Sequence, residues 1–296
     1  MSTTLRLAWL KALGSVGIKK FVSTSSFGYS YVCHIGDFLG ENPYYNPEAF
    51  RVELTLCAAW LADSKHPIIY DVGANLGFFC TQLAQMLKMQ SPNIYAFEPV
   101  PDTFCKLSQT VDALGLRALI DPIAAAATDE AAALQLSYST RNSLFAQVTP
   151  NGLNPRVGDR LVYAAGFTLD DFLSLTGAVP NLVKIDVEGS EIAVLRGAQD
   201  LLSQANRPAL LFECNPFNLA ETGSSLGSFA ELLAGYAVYY VDDFEGQKVP
   251  FGDHVERIED IYWVCNLFAV PTDERSSMRW QSVLTNVRSS LRLRTK

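Results

Sequence analysis

The residues able to do chemistry in this sequence gather at the ends of apolar runs. Asp71 closes the run Pro67-Ile68-Ile69-Tyr70, and Val72-Gly73-Ala74-Asn75-Leu76-Gly77 leads from it into a helical pattern at Phe78. This reads as a strand, a tight turn and a helix. Glycine at 73 and 77 keeps Cβ atoms out of a ligand's path, and the first N–H groups of the helix lack internal partners. A second run, Asn93 to Phe97, ends in Glu98, 21 residues beyond Gly77, the distance at which nucleotide-binding folds present an acid to ribose hydroxyls. The turn lacks the middle glycine of GxGxxG, and Asp71 stands where a carboxylate repels phosphate. A cofactor carrying an ammonium suits it better than a dinucleotide.

A second constellation follows. Leu182-Val183-Lys184-Ile185 reads as a buried strand that ends in the acidic turn Asp186-Val187-Glu188-Gly189-Ser190-Glu191, and Pro208 to Phe212 ends in Glu213-Cys214-Asn215. Ligands of open α/β sheets bind at the carboxyl ends of strands, so Asp186, Glu188 and Glu213 are expected on the same rim as Asp71 and Glu98. Crowded carboxylates raise one another's pKa or recruit a cation, which suits proton transfer or metal binding. A purely structural turn, capped by Ser190 and Glu191, leaves Glu188 unexplained.

The elements that position these groups alternate strand and helix between about residues 51 and 271, the pattern of a parallel sheet covered on both faces. Helices are expected over Glu48–Ala62, Phe78–Met89, Thr103–Leu114, Glu191–Gln204 and Ser228–Ala234. Further strands are expected over Leu119–Ala127, Ala132–Tyr138, Ala237–Val241 and Ile261–Val270. Thr168 is the expected N-cap of a short helix. Thr140 to Phe145 reads as a loop, Gln147 to Ala165 as an excursion over the sheet, and Glu245 to Asp260 as another. Residues 1–50 form an expected N-terminal cap: a helix from Leu5 to about Val22, either packed or interfacial, then strands and loop from Phe27 to Phe50. His34 and Asp37 in this segment read as structural. The basic tail, 272–296, reads as a solvated or frayed helix.

Composition bounds the function. The 296 residues are 49% hydrophobic and 18% charged, with a net charge of −8, which is globular and argues against a general nucleic-acid binder. Six scattered cysteines without a CxxC pair fit buried thiols in a reducing compartment. No apolar run approaches a membrane span and no coherent signal-peptide core opens the chain, so the expected location is cytoplasmic.

In order, Asp71–Gly77, Phe97-Glu98-Pro99, Asn142-Ser143-Leu144, Val183–Glu191, and Arg207-Pro208 with Phe212-Glu213 resemble the FkbM family of S-adenosylmethionine-dependent methyltransferases, over roughly residues 50 to 240. The Asp-Val-Glu-Gly-Ser-Glu run is the specific part. The resemblance implies a Rossmann-like α/β class I fold, with a seven-stranded, mostly parallel sheet, helices on both faces and a reversed last strand. It implies O-methylation of a hydroxyl on a sugar, a glycan or a natural product. It places Asp71, Gly73, Ala74, Asn75 and Gly77 at the amino-acid end of S-adenosylmethionine, Glu98 on its ribose with Pro99 beside it, and Asp186 and Glu188 beside the transferred methyl, either one the candidate base. Glu213 joins them as a catalytic candidate. Asp186, Glu213 and Asn215 are the candidate oxygen set for Mg²⁺. A nicotinamide-dependent oxidoreductase and a non-catalytic cofactor-binding protein stand as alternatives, the former disfavoured by Asp71 and the missing glycine.

Overall fold

Short apolar runs bounded by glycine and acidic turns become strands whose alternate residues feed two separate cores. A computed structural model describes residues 2–139, 142–148, 160–243 and 251–294. In chain order, α1 (Thr3–Ser15), β1 (Lys20–Thr24), β2 (Ser30–His34), α2 (Phe38–Tyr45) and α3 (Arg51–Leu61) precede β3 (Ile68–Val72), α4 (Phe78–Met86), β4 (Asn93–Phe97), α5 (Pro101–Ala113) and β5 (Ile120–Ile123). Next come β6 (Ala126–Ala127), β7 (Ala132–Ser139), β8 (Asn142–Val148), β9 (Arg160–Phe167), α6 (Leu169–Thr176), β10 (Leu182–Ile185), α7 (Glu191–Arg196) and α8 (Gln199–Ser203). The chain continues through β11 (Ala209–Cys214), α9 (Pro216–Glu221), α10 (Gly227–Leu232), β12 (Tyr236–Asp243), β13 (Cys265–Pro271) and α11 (Glu274–Arg294).

The main sheet has seven strands in the order β12-β13-β11-β10-β3-β4-β5. The pairs β11/β10, β10/β3, β3/β4 and β4/β5 are parallel, whereas β13 runs antiparallel to both of its neighbours. The strand order turns back between β3 and β10, and such a switch point opens a crevice at the strands' carboxyl ends. Ile69, Ile94, Leu182 and Leu211 pack on one face against Leu54 and Trp60 of α3, Leu83 of α4 and Leu107 of α5. Tyr70, Phe97, Val183 and Phe212 pack on the other against Phe172 of α6, Leu195 of α7 and Phe229 of α10.

A second, four-stranded sheet has the order β6-β9-β7-β8. Its Leu136 and Tyr138 pack on Val100 at the start of α5, and Tyr138 donates to Asp102 at 2.6 Å. Asn142–Val148 and Arg160–Ala165, expected as loop and excursion, are therefore strand. The described side chains that pack, Leu136, Tyr138, Val148, Val162 and Ala164, gather against Val100, and half-buried strands of this kind leave a weaker sequence pattern than strands buried on both faces. The Thr140-Arg141 part of the loop, residues 149–159 of the first excursion, 245–250 of the second, and residues 295 and 296 of the tail lie outside the described residues.

Four other expectations change. The N-terminal helix stops at Ser15, and Lys20–Thr24 instead pairs with β2. Phe38–Tyr45 is helical despite Pro43, with Asp37 as its N-cap accepting from the Gly40 N–H. The helix expected over Glu191–Gln204 breaks at Gly197, where a Cβ would lie 2.0 Å from the Thr128 carbonyl oxygen. The basic tail is a packed helix: Trp280 stacks between Phe268 and Tyr239, and the Arg279 guanidinium lies 4.9 Å from the Trp60 ring centroid. Thr168 caps α6 as expected, accepting from the Asp171 N–H at 2.9 Å.

Candidate active site

The β3–α4 turn is held from two sides. The N–H groups of Gly73 and Ala74 donate to the Phe97 carbonyl at 3.1 and 2.9 Å, tying the turn to the end of β4, and the Asp186 N–H donates to Val72 on the β10 side. Gly73 has φ +80°, and a Cβ there would fall 1.9 Å from the Asp186 carbonyl oxygen. A Cβ on Gly77, at φ +84°, would fall 2.6 Å from Leu107. Both glycines are thus fixed by the approach of neighbouring chain, in addition to any ligand clearance. Asn75 occupies the left-handed region at φ +50°, which asparagine tolerates, and its N–H donates to Glu98 at 3.1 Å. The N-terminus of α4 has no side-chain cap, so its leading N–H groups remain available to an anionic group.

These elements surround a cavity of about 530 Å³, within the range of small-molecule sites. Gly73, Ala74, Asn75, Glu98, Pro99, Asp186, Glu188 and Glu213 all line it. Sequence reasoning therefore brought most of its candidates to one place. Gly77 and Asp71 do not line it: Gly77 is the N-cap of α4, and Asp71 is fully buried behind the wall. One wall is supplied by Phe38, Asn42, Asn46 and Phe50 from α2 and the segment after it, and another by Leu136 and Val148 of the second sheet.

Lys184, which sequence reasoning left without a role, ties the acids together. Parallel pairing sets it opposite Asp71, with its Nζ 3.5 Å from Asp71 Oδ1 and 3.1 Å from Asp186 Oδ2. Phe79 lies under the ammonium at 5.4 Å. Burial pushes the Asp71 carboxyl up and the Lys184 charge pulls it back, while the two carboxyls hold the lysine well above its ordinary value. The ammonium anticipated beside Asp71 is thus a side chain of the protein. The signal for it was register: two buried strands ending at the same rim place Lys184 beside Asp71.

The remaining acids divide by function. Glu98 accepts from the N–H groups of Asn75 and Val100 at 3.1 and 2.8 Å, and burial pushes it up to about 7. Glu191 reaches back to the N–H groups of Val187 and Gly189 at 3.1 and 3.2 Å, stapling the acidic turn from within. Glu188 sits at φ +53°, a conformation that ordinary side chains avoid and that concentrates at functional sites. It accepts from Asn218 at 3.0 Å. Burial, then Asp186 and Glu213, push Glu188 up to about 9, and burial with Asp186 pushes Glu213 up to about 8. Both carboxyls are therefore largely protonated at neutral pH and become able to accept a proton only as the pH rises through this range.

Two of the expected Mg²⁺ ligands are engaged with other groups. Among the described residues no group of three or more His, Cys, Asp or Glu side chains converges as a metal site. The Asn215 Oδ1 is used as the cap of α9, accepting from the Asn218 N–H at 3.2 Å, and the Lys184 ammonium already stands against Asp186. His34 and Asp37 prove structural: His34 is buried against Thr110 at 3.0 Å, and Asp37 pairs with Lys106 at 3.0 Å. Among the described residues no helix is long and apolar enough to cross a membrane.

Comparison with known proteins places these features in context. The family model described as the methyltransferase FkbM domain matches residues 71–239. The chain is 29% identical over 149 residues to the hexuronic acid methyltransferase AglP of Haloferax volcanii, an alignment covering 47% of this chain and 53% of that protein. The chain thus spans about half the length of the curated relative it matches. Among solved structures it is similar to an FkbM methyltransferase from Methylobacillus flagellatus, with 15% identity, a TM-score of 0.40, and coverage of 69% of this chain and 43% of that one. It is also similar to TYW2 of M. jannaschii in complex with AdoMet, with 11% identity, a TM-score of 0.41 and coverage of 85% of both chains.

Proposed function

The chain belongs to the methyltransferase FkbM domain family of S-adenosylmethionine-dependent enzymes, and from that premise we propose that it methylates a hydroxyl oxygen on a sugar, glycan or natural-product acceptor. The observation that carries the reading is the cavity in which Glu98 and the β3–α4 turn stand on one side and Asp186, Glu188 and Glu213 on the other. S-adenosylmethionine supplies an electrophilic methyl on a sulfonium leaving group. Glu98, in its ionised form, accepts from the ribose hydroxyls while its backbone bonds hold it in place. The uncapped start of α4 faces the amino-acid carboxylate, with Gly73, Ala74, Asn75 and Gly77 shaping the turn. Pro99 closes the nucleoside side. Asp71 acts at one remove, by fixing Lys184.

Glu188 or Glu213, in its ionised form, takes the acceptor's one proton as its oxygen bonds to the methyl carbon and the methyl–sulfur bond breaks, and Asp186, paired with Lys184, orients the hydroxyl. Holding the acceptor in line supplies much of the acceleration and the carboxylate base supplies the remainder. A sugar is favoured among acceptors by AglP, whose name specifies a hexuronic acid. The test is incubation with methyl-labelled S-adenosylmethionine and a panel of hexuronic acids, neutral glycans and hydroxylated metabolites. Label on a hydroxyl of one class supports the reading, and label on nitrogen or carbon would refute O-methylation.

A further inference from the structure

The N-terminal helix carries two apolar faces, and the fold uses only one. Leu10 is buried with Tyr31 and Cys33, and Gly14 lies against Ile35, while Arg6 donates to the Tyr44 carbonyl. That face docks α1 on α2 and β2. About a third of a turn away, Leu5, Trp9, Ala12 and Val16 recur at i, i+4, i+7 and i+11, which aligns them along one stripe. All four are exposed, with Leu5, Trp9 and Val16 at 59%, 52% and 71%. Ile18, just before β1, and Val22, on β1, are exposed as well. Of the fourteen exposed large hydrophobic residues among those described, six fall between Leu5 and Val22; Leu7 lies about half a turn from the stripe, and the other five still exceed ordinary surface scatter for so short a segment.

Charge identifies what covers it. Before Asp37 the sequence contains Arg6, Lys11, Lys19 and Lys20 and no acidic residue, in a chain whose net charge is −8. Lys11 and Lys19 are exposed on the same segment. An anionic surface is therefore attracted to this edge and repelled by the acidic remainder, which orients the molecule. Tryptophan and leucine on an exposed stripe, in a segment whose only charged side chains are basic, fit the boundary between headgroups and acyl chains. We propose that the α1–β1 face is a docking surface for an anionic lipid bilayer. Because α1 packs on α2, and α2 lines the cavity, docking brings the cavity wall to about one helix diameter, ~10 Å, from the membrane surface.

The test is co-sedimentation of the full chain with phosphatidylcholine vesicles, with and without phosphatidylglycerol. The expected result is binding only to the anionic vesicles, weakened by salt. Leu5→Ser/Trp9→Ser and Lys11→Gln/Lys19→Gln should each reduce it by about tenfold or more. Leu175→Ser, an exposed leucine outside the patch, should leave it unchanged. Near-ultraviolet circular dichroism reports the fold of each variant, and the lysine pair, which touches no buried contact, decides the matter if the apolar pair folds poorly. Absent binding by the wild-type chain, or binding by the lysine variant as strong as wild type, overturns the proposal. So does a wild-type dimer in sedimentation velocity that Leu5→Ser/Trp9→Ser makes monomeric, since a second copy would then cover the face. The readout is independent of methyl transfer.

Discussion

Replacing Lys184 with methionine tests how the site is held together. The lysine is buried between Asp71 and Asp186, at 3.5 and 3.1 Å, and neither Asp71 oxygen has a hydrogen-bond partner. Removing the ammonium leaves a fully buried carboxyl with no charged partner and the Cys80 thiol beside it. Breaking one side of a buried pair costs about 3–5 kcal/mol, which for a chain of this size lowers Tm by roughly 10 °C. The carboxyl escapes part of this by taking a proton. With its folded pKa raised further, the native state binds more protons than the unfolded chain above the ordinary carboxylate range, so stability must fall as pH rises. The deficit of Lys184→Met should therefore be largest near about pH 8 and shrink toward about pH 5. The assay is urea unfolding followed by circular dichroism at both pH values. Adding Asp71→Asn should recover more than half of the loss, because it removes the stranded charge. A single variant as stable as wild type, or a double variant no better than the single, would refute the account of the pair.

Three further outcomes follow from the same geometry. If ribose binds only ionised Glu98, with its pKa near 7, affinity for S-adenosylhomocysteine should fall about tenfold for each pH unit below that value and level off above it; a flat titration by calorimetry argues against Glu98 as the ribose ligand. With Glu188 and Glu213 raised to about 9 and about 8, the methyl-transfer rate should climb with pH through this range, and Glu188→Gln or Glu213→Gln should lower kcat by about 100-fold or more if that residue is the base, with KM for the cofactor little changed. Gly73→Ala places a methyl 1.9 Å from the Asp186 carbonyl oxygen at positive φ, so a loss above about 3 kcal/mol is expected, seen as insoluble or unfolded protein on expression.

Legibility in the sequence followed how much of each element is buried. β3, β4, β10 and β11 are covered on both sides and stood out as apolar runs stopped by acids, so the rim formed by Glu98, Asp186, Glu188 and Glu213 was readable before any coordinates. β8 and β9 belong to the half-buried second sheet, and their mixed composition read as loop. In α2, Pro43 argued for a turn, yet the fold tolerates it within a helix held by the Asp37 cap. The tail carried a usable signal in Trp280, Val283 and Val287, now buried against the core, but the arginines and serines between them obscured it. Lys184 could not be assigned a partner until strand order was known, because Asp71 lies 113 residues away in sequence and becomes its neighbour only by β3–β10 pairing.

The most direct test of the account is calorimetric titration of the full chain with S-adenosylhomocysteine at about pH 8, repeated on Glu98→Ala. The account predicts saturable one-to-one binding to the wild-type protein, weakened about 10- to 100-fold in the variant, as expected for losing hydrogen bonds to a charged acceptor. No binding by the wild-type protein, or the same affinity in both, would contradict it.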